Sequence, residues 1–152
     1  MLKILLVSDN HGDYDSIQRI LRDNPACDYY FHCGDALLSP EEMKPFLVVR
    51  GNNEWTNEYP KMHKTTIAGH NILIMHGNGY TFSMKDLRSK AIEEGCDTVF
   101  FGHTHLFHDE ILDGIRLINP GSCYYNRDYS APCYAQVYID DNGEIHTVRV
   151  NI

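Results

Sequence analysis

Leu2-Lys3-Ile4-Leu5-Leu6-Val7 runs directly into Ser8-Asp9-Asn10-His11-Gly12-Asp13, and this passage from apolar to polar decides how the chain is read. A short, continuous apolar run predicts a strand covered on both faces. Its abrupt end in Asp9, His11 and Gly12 predicts a polar loop at the strand's carboxyl end. Ile17, Ile20 and Leu21 then recur at helical spacing, and Asn24-Pro25 ends that helix. The same pattern returns twice. Asp28-Tyr29-Tyr30-Phe31-His32-Cys33 stops at Gly34-Asp35, and Phe46-Leu47-Val48-Val49 stops at Arg50-Gly51-Asn52-Asn53. Strand, helix, strand, crossover, strand is an α/β order, and its site is expected beyond the carboxyl ends of the strands.

The second half changes character. Thr65-Thr66-Ile67-Ala68 and Ile72-Leu73-Ile74-Met75 flank Gly69-His70-Asn71, which reads as a hairpin connection, and His76-Gly77 follows. Asp86 to Glu94 is helical, with Leu87, Ala91 and Ile92 on one face and Gly95 as its stop. Thr98-Val99-Phe100-Phe101 is a further buried strand ending at Gly102-His103-Thr104-His105. Glu110 to Leu112, Ile115 to Ile118 and Tyr134 to Ile139 read as strands, the last turning through Asp140-Asp141-Asn142-Gly143 into Glu144 to Val150. A sheet of this many strands tends to split into two. The fold class expected is therefore α/β, with two sheets packed face to face and helices outside.

The chain has 152 residues, the usual size of one domain, and 43% hydrophobic and 22% charged residues are ordinary for a globular chain. Thirteen basic against twenty-one acidic side chains give a net charge of −8 without any Lys/Arg run. That argues against a nucleic-acid polymer held by phosphate neutralisation. A phosphate-bearing substrate would instead be attracted by bound divalent cations. No stretch approaches the roughly 20 apolar residues of a membrane span, and the N-terminus lacks the pattern of a signal peptide. Cys27, Cys33, Cys96, Cys123 and Cys133 are odd in number and lack a CxxC spacing. Reduced thiols in a cytoplasmic protein are the economical reading.

Five polar clusters thus follow predicted strands: Asp9-Asn10-His11, Gly34-Asp35, Gly51-Asn52-Asn53, His76-Gly77 and Gly102-His103-Thr104-His105. Each alone is ordinary turn chemistry. Two histidines separated by one residue are more specific, and the ordered set of five points to metal binding. Its donors are oxygen and nitrogen only, which suits manganese, iron, cobalt, nickel or zinc better than magnesium alone.

These blocks resemble the calcineurin-like metallophosphoesterase superfamily, specifically its small single-domain phosphodiesterase branch. The family pattern D-x-H, G-D, G-N, H, G-H-x-H is matched in order, and Asn119-Pro120-Gly121-Ser122 also looks like that branch. The resemblance implies one metallophosphoesterase domain over 1–152, folded as a four-layer αββα sandwich of two mixed sheets flanked by helices. It also implies two divalent metal ions, with Mn2+ the first choice and Ni2+, Co2+, Fe2+ or Zn2+ as alternatives. Asp9, His11 and His105 would hold one metal, and Asn52, His76 and His103 the other. Asp35 would bridge both. Asp35, Asn52 and His76 are the residues carried over as catalytic. A bridging carboxylate keeps two cations roughly 3.5–4 Å apart, and a hydroxide between them would attack phosphorus in line.

One departure matters. Many larger members place a histidine after the metal-binding Asn to protonate the leaving group, whereas Asn53-Glu54 stands here. Esters with good leaving groups are therefore expected to be favoured. Glu54 reads either as a carboxylate supporting a ligand histidine or as an exposed loop residue. Asn10 is assigned either a turn role or contact with a substrate oxygen. His32 is expected as a buried strand histidine, His63, His70 and His146 as surface residues, and Cys33 and Cys123 as packing. The expected partner is a small phosphate-ester substrate, with a homodimer or larger homo-oligomer as the base-rate expectation. Two alternatives stand beside the phosphodiesterase: a phosphomonoesterase for a nucleotide or small metabolite, and a non-catalytic protein-binding scaffold of the same fold, as in the retromer subunit.

Overall fold

The computed structural model describes residues 1–152. Ten strands form two five-stranded mixed sheets. In the first, β1 (Leu2–Val7), β2 (Tyr29–His32) and β3 (Leu47–Val48) are parallel, with β9 (Cys133–Ile139) antiparallel to β1 and β10 (Ile145–Asn151) antiparallel to β9. In the second, β5 (His70–Met75), β6 (Thr98–Phe100) and β8 (Ile115–Pro120) are parallel. β4 (Met62–Ile67) and β7 (Phe107–Leu112) form its antiparallel edges.

The burial pattern of the central strands accounts for the layering. Side chains alternate faces along a strand, so a strand apolar on both faces needs cover on both. Ile4, Leu6 and Val137 of the first sheet pack against Ile72, Ile74, Phe100 and Ile118 of the second. Leu5 and Val7 turn outward onto Ile17 and Ile20 of α1 (Tyr14–Asp23) and Met43 of α2 (Pro40–Met43). Leu73, Val99 and Leu117 pack outward onto Leu87 and Ala91 of α3 (Met84–Glu93). The result is the four-layer αββα order. Each fully buried Leu or Ile contributes on the order of 1.5–3 kcal/mol to it. No helix is long and apolar enough to cross a membrane.

Helix termini follow their local chemistry. The Asp13 carboxylate accepts the Ser16 N–H at the start of α1. Gly95, at φ 73°, ends α3 with its own N–H on the Ile92 carbonyl and the Cys96 N–H on the Ala91 carbonyl. α2 lies where only a crossover was expected. Its signal was present in Ser39-Pro40-Glu41-Glu42, which forms a capping box with proline in the first turn.

The β4–β5 connection also differs from expectation. It is the two-residue turn Ala68-Gly69, both at positive φ, and His70 already pairs with Ile67 in the sheet. His63, His70 and His146 all lie in hairpin strands, with His146 exposed and His63 and His70 half-buried. His70 is tied down on both nitrogens, to Asp97 and to the Gly143 carbonyl.

Candidate metal centre

The parallel strands of both sheets end along one edge of the sandwich, and the polar clusters gather there. Asp9 and His11 leave β1, Asp35 leaves β2, Asn52 leaves β3, His76 leaves β5, and His103 and His105 leave β6. The loops are tied to one another. The Asp9 N–H donates to the Gly34 carbonyl and the His11 N–H to the Asp35 carbonyl, both at 3.0 Å. The Gly102 N–H donates to the His76 carbonyl at 3.0 Å, and the Ser122 hydroxyl donates to the Asp9 carbonyl at 2.8 Å. Two glycines are required by close approach. A Cβ on Gly102 would lie 2.6 Å from Asp9 Oδ2, and one on Gly51 would collide with the Asp35 carboxylate.

Backbone strain concentrates at the same place. Asp9, His11, Asp35, His103 and His105 all have φ between 45° and 71°, and they are five of the nine non-glycine residues with positive φ. Each such conformation costs of order 1–3 kcal/mol and persists only where the surroundings enforce it.

All seven candidate ligands converge. Asp9 Oδ1 lies 3.3 Å from His105 Nε2, 3.8 Å from His11 Nε2 and 3.9 Å from His76 Nε2. Asp35 Oδ2 lies 3.3 Å from His76 Nε2 and 3.7 Å from His11 Nε2, between the two histidine groups. His103 Nδ1 completes the far side, 3.2 Å from Asn52 Oδ1 and 3.3 Å from His76 Nε2.

The donor chemistry fits a cation. His76 Nδ1–H points at the Cys33 carbonyl (2.8 Å) and His105 Nδ1–H at the Tyr125 carbonyl (2.7 Å), which leaves each Nε2 lone pair facing the centre. His11 Nε2 and His105 Nε2 then meet at 3.1 Å. Lone pairs so close repel unless a proton or a cation lies between them. Asp9 Oδ1 is buried and accepts no hydrogen bond, while Oδ2 accepts from Ser8 Oγ and from the His103 N–H. A buried acceptor without a partner is rare and calls for a ligand.

Titration follows from this geometry. Burial alone would raise Asp9, but the facing imidazoles of His105, His11 and His76, with the Ser8 hydroxyl, outweigh it and hold the carboxyl well below the usual range. Asp35 is lowered in the same way, against its burial, by His76 and by the Asn53 N–H groups. Asp9 raises His11. His76 is raised by Asp35 and Asp9 despite its burial. His103 is lowered by burial and then by His76. Asp9 and Asp35 thus favour positive charge at the centre, whether a proton on His11 or His76 or a divalent cation, so metal binding competes with protonation.

The supporting residues were harder to see. Glu54 is neither of the two things expected of it. Its Oε2 accepts the Asp35 N–H (3.0 Å) and the Gly51 N–H (3.1 Å), and its Oε1 accepts the Leu37 N–H (2.9 Å). It ties the loop after β2 to the loop after β3. Asn53 donates its backbone N–H to Asp35 Oδ1 and its side-chain amide to Oδ2, both at 2.9 Å. Asn10 is fully buried, with its amide on the Ala36 carbonyl and its oxygen on His32, so it cannot reach a substrate. Asn119 holds the Gly102 carbonyl and Thr104 Oγ1. Cys33 and Cys123 are packed in the core.

His32 has a fixed tautomer. Its Nδ1 accepts the Gly34 N–H at 3.1 Å, so the proton is on Nε2, which donates to Asn10 Oδ1 at 2.8 Å. Complete burial pushes its pKa down to about 4. The unfolded chain therefore binds this proton first. The stability His32 contributes is present above pH 6.5 and declines as the pH falls from 6.5 toward 4, by roughly 3 kcal/mol in all. Histidine 15N NMR should find His32 neutral and protonated on Nε2 at pH 5.5; a midpoint near 6.5 would contradict this account.

Comparison with known proteins follows the same lines. Residues 2–142 match the calcineurin-like phosphoesterase superfamily domain. A Bacillus subtilis (strain 168) protein named "Probable metallophosphoesterase YsnB" is 31% identical over 97% of this chain and 89% of its own length. The crystal structure of a predicted phosphoesterase from Streptococcus pneumoniae TIGR4 superimposes with a TM-score of 0.84 at 26% identity, covering 99% of this chain and 98% of that one. Vps29 from Entamoeba histolytica, solved in complex with Zn2+, has the same fold, with a TM-score of 0.76 at 19% identity and 99% coverage of both chains.

Proposed function

The chain belongs to the calcineurin-like phosphoesterase superfamily, and from that premise we propose that it is a divalent-metal-dependent phosphodiesterase acting on a small phosphate ester. The observation that carries this reading is the buried, unpartnered Asp9 Oδ1 among imidazole lone pairs. In this reading Asp9, His11 and His105 hold one cation, Asn52, His76 and His103 hold a second, and Asp35 reaches both. The mixed oxygen and nitrogen donors favour Mn2+, with Ni2+, Co2+, Fe2+ or Zn2+ as substitutes. Such cations neutralise phosphoryl oxygens and bring the pKa of water close to neutrality.

The chain's own residues supply positioning. Asp35 is clamped by Asn53 and Glu54, and the rings of His76 and His105 are aimed by the Cys33 and Tyr125 carbonyls. No Lys or Arg pairs with any of the seven ligands. Asn53, with its N–H groups committed to Asp35, cannot protonate a leaving group. Free thiols at all five cysteines suit a reducing cytoplasm.

Metal-stripped protein given bis(p-nitrophenyl) phosphate should turn over only after manganese is added, and faster than with p-nitrophenyl phosphate. Silence on both esters with manganese, nickel and cobalt would favour the scaffold reading. Across aryl diesters the rate should fall steeply as the leaving-group pKa rises; a flat series would show that a proton donor exists.

A further inference from the structure

A second cleft, with a cavity of about 310 Å³, adjoins the metal centre. Gly51, whose N–H is held by Glu54, and His76, which faces Asp35, belong to the walls of both. The remaining character of the cleft is cationic: Arg50, Lys61 and Lys90 line it, and no acidic residue does. In a chain of net charge −8 this is an unexpected concentration of positive charge.

Two of these charges are uncompensated. Lys61 is exposed, and neither it nor Arg50 takes part in the ion pairs of the chain. Arg50 Nη2 donates to the neutral Asn57 carbonyl at 3.0 Å, while its Nε is buried and has no acceptor. Lys90 shares its charge with Glu94 (3.3 Å) and sits 5.9 Å above the Tyr80 ring. A guanidinium outside any ion pair, lining the same cleft as the exposed Lys61 ammonium, is the chemistry that captures a phosphate dianion.

We propose that this cleft receives a second phosphoryl group of the substrate, so that the substrate class is a phosphodiester that also carries a phosphate monoester. The proposal rests on the phosphodiesterase reading of the adjoining metal centre. The diester would seat at the metal centre, and the monoester, on the portion of the molecule beyond the scissile bond, on Arg50 and Lys61.

The test uses a matched pair of esters. Thymidine 5′-(p-nitrophenyl phosphate) and the same ester bearing a 3′-phosphate share the leaving group and the attacked diester. With manganese-loaded protein at low ionic strength, the 3′-phosphorylated ester should have a kcat/KM about tenfold higher or more, carried mostly by KM. Lys61→Gln and the double variant Arg50→Gln/Lys61→Gln should bring that ratio toward one, whereas Lys85→Gln, on the exposed face of α3, should keep it. Lys61 is exposed, so its variant answers even if Arg50→Gln fails to fold. Equal kcat/KM for the two esters, a ratio unmoved by Lys61→Gln, or release of the 3′-phosphate before p-nitrophenol would each overturn the proposal. If neither ester is hydrolysed, the phosphodiesterase reading has failed, and equilibrium binding decides the cleft. Thymidine 3′,5′-bisphosphate should then bind about tenfold tighter than thymidine 5′-monophosphate, with the gain lost in Lys61→Gln; equal affinities would overturn it.

Discussion

Asp9→Asn should lower diester turnover by at least about a thousandfold, on the order of 4 kcal/mol of transition-state stabilisation at 1.4 kcal/mol per tenfold, while leaving the chain folded. The amide is nearly isosteric. Its oxygen can keep the Ser8 Oγ and His103 N–H donors that Oδ2 accepts now. Its NH2 would occupy the place of Oδ1, 3.3 Å from His105 Nε2, a lone pair that can accept it. The fold thus loses no buried partner, and an orphaned acceptor becomes a satisfied donor. What is lost is the negative charge that faces His11, His76 and His105. Thermal denaturation separates the two effects. Metal-free Asp9→Asn should still unfold cooperatively, at a lower temperature than metal-free wild type because the carboxylate that the facing imidazoles hold ionised is lost, and the upward shift that manganese gives the wild type should vanish. Turnover within tenfold of wild type would remove Asp9 from the ligand set.

Glu54→Ala should be destabilising by about 3–5 kcal/mol and should lower turnover by about a hundredfold even at saturating metal. Three backbone donors, on Asp35, Leu37 and Gly51, lose a charged acceptor at once. Asp35 and Leu37 both stand at positive φ, at 58° and 53°, so this loop returns to more comfortable backbone once released. For a domain of this size the stability loss corresponds to a fall in melting temperature of about 10 °C. Glu54→Gln separates position from charge. Its carbonyl can still serve Asp35 and Gly51, while its NH2 would face the Leu37 N–H, so an intermediate loss of stability is expected. Wild-type activity in Glu54→Ala would show that Asn53 alone holds Asp35.

Glu54 also marks a limit of reading along the chain. The strands and most helices could be read from Leu2–Val7 onward because burial on both faces leaves a continuous apolar run, and periodicity is a local property. The candidate ligands were legible for a related reason. Each stands within a few residues of a strand's carboxyl end, near Gly12, Gly34, Gly51, Gly77 or Gly102. Glu54, Asn53 and Asn10 had no such signal, because what they do depends on backbone groups of other loops. An exposed-looking carboxylate in Asn53-Glu54-Trp55 is, in sequence, only that. His32 gave half a signal: a histidine in an apolar strand predicts burial, but not that Gly34 fixes its tautomer.

The amino-acid sequence by itself determined the α/β class, the order of the strands and the five polar clusters that follow them, and the resemblance to the metallophosphoesterase family singled out seven candidate ligands among those clusters. Apolar runs, turn residues and their spacing carry that information within short windows. Only the tertiary structure decided how the two sheets face each other, which nitrogen of each histidine looks inward, and that Asp9 Oδ1 is left without a donor. It also brought Arg50, Lys61 and Lys90 to one cleft beside His76 in a chain whose overall charge is negative. Net charge is a sum over all residues, whereas recognition depends on where the few uncompensated charges meet, and that is a matter of long-range packing.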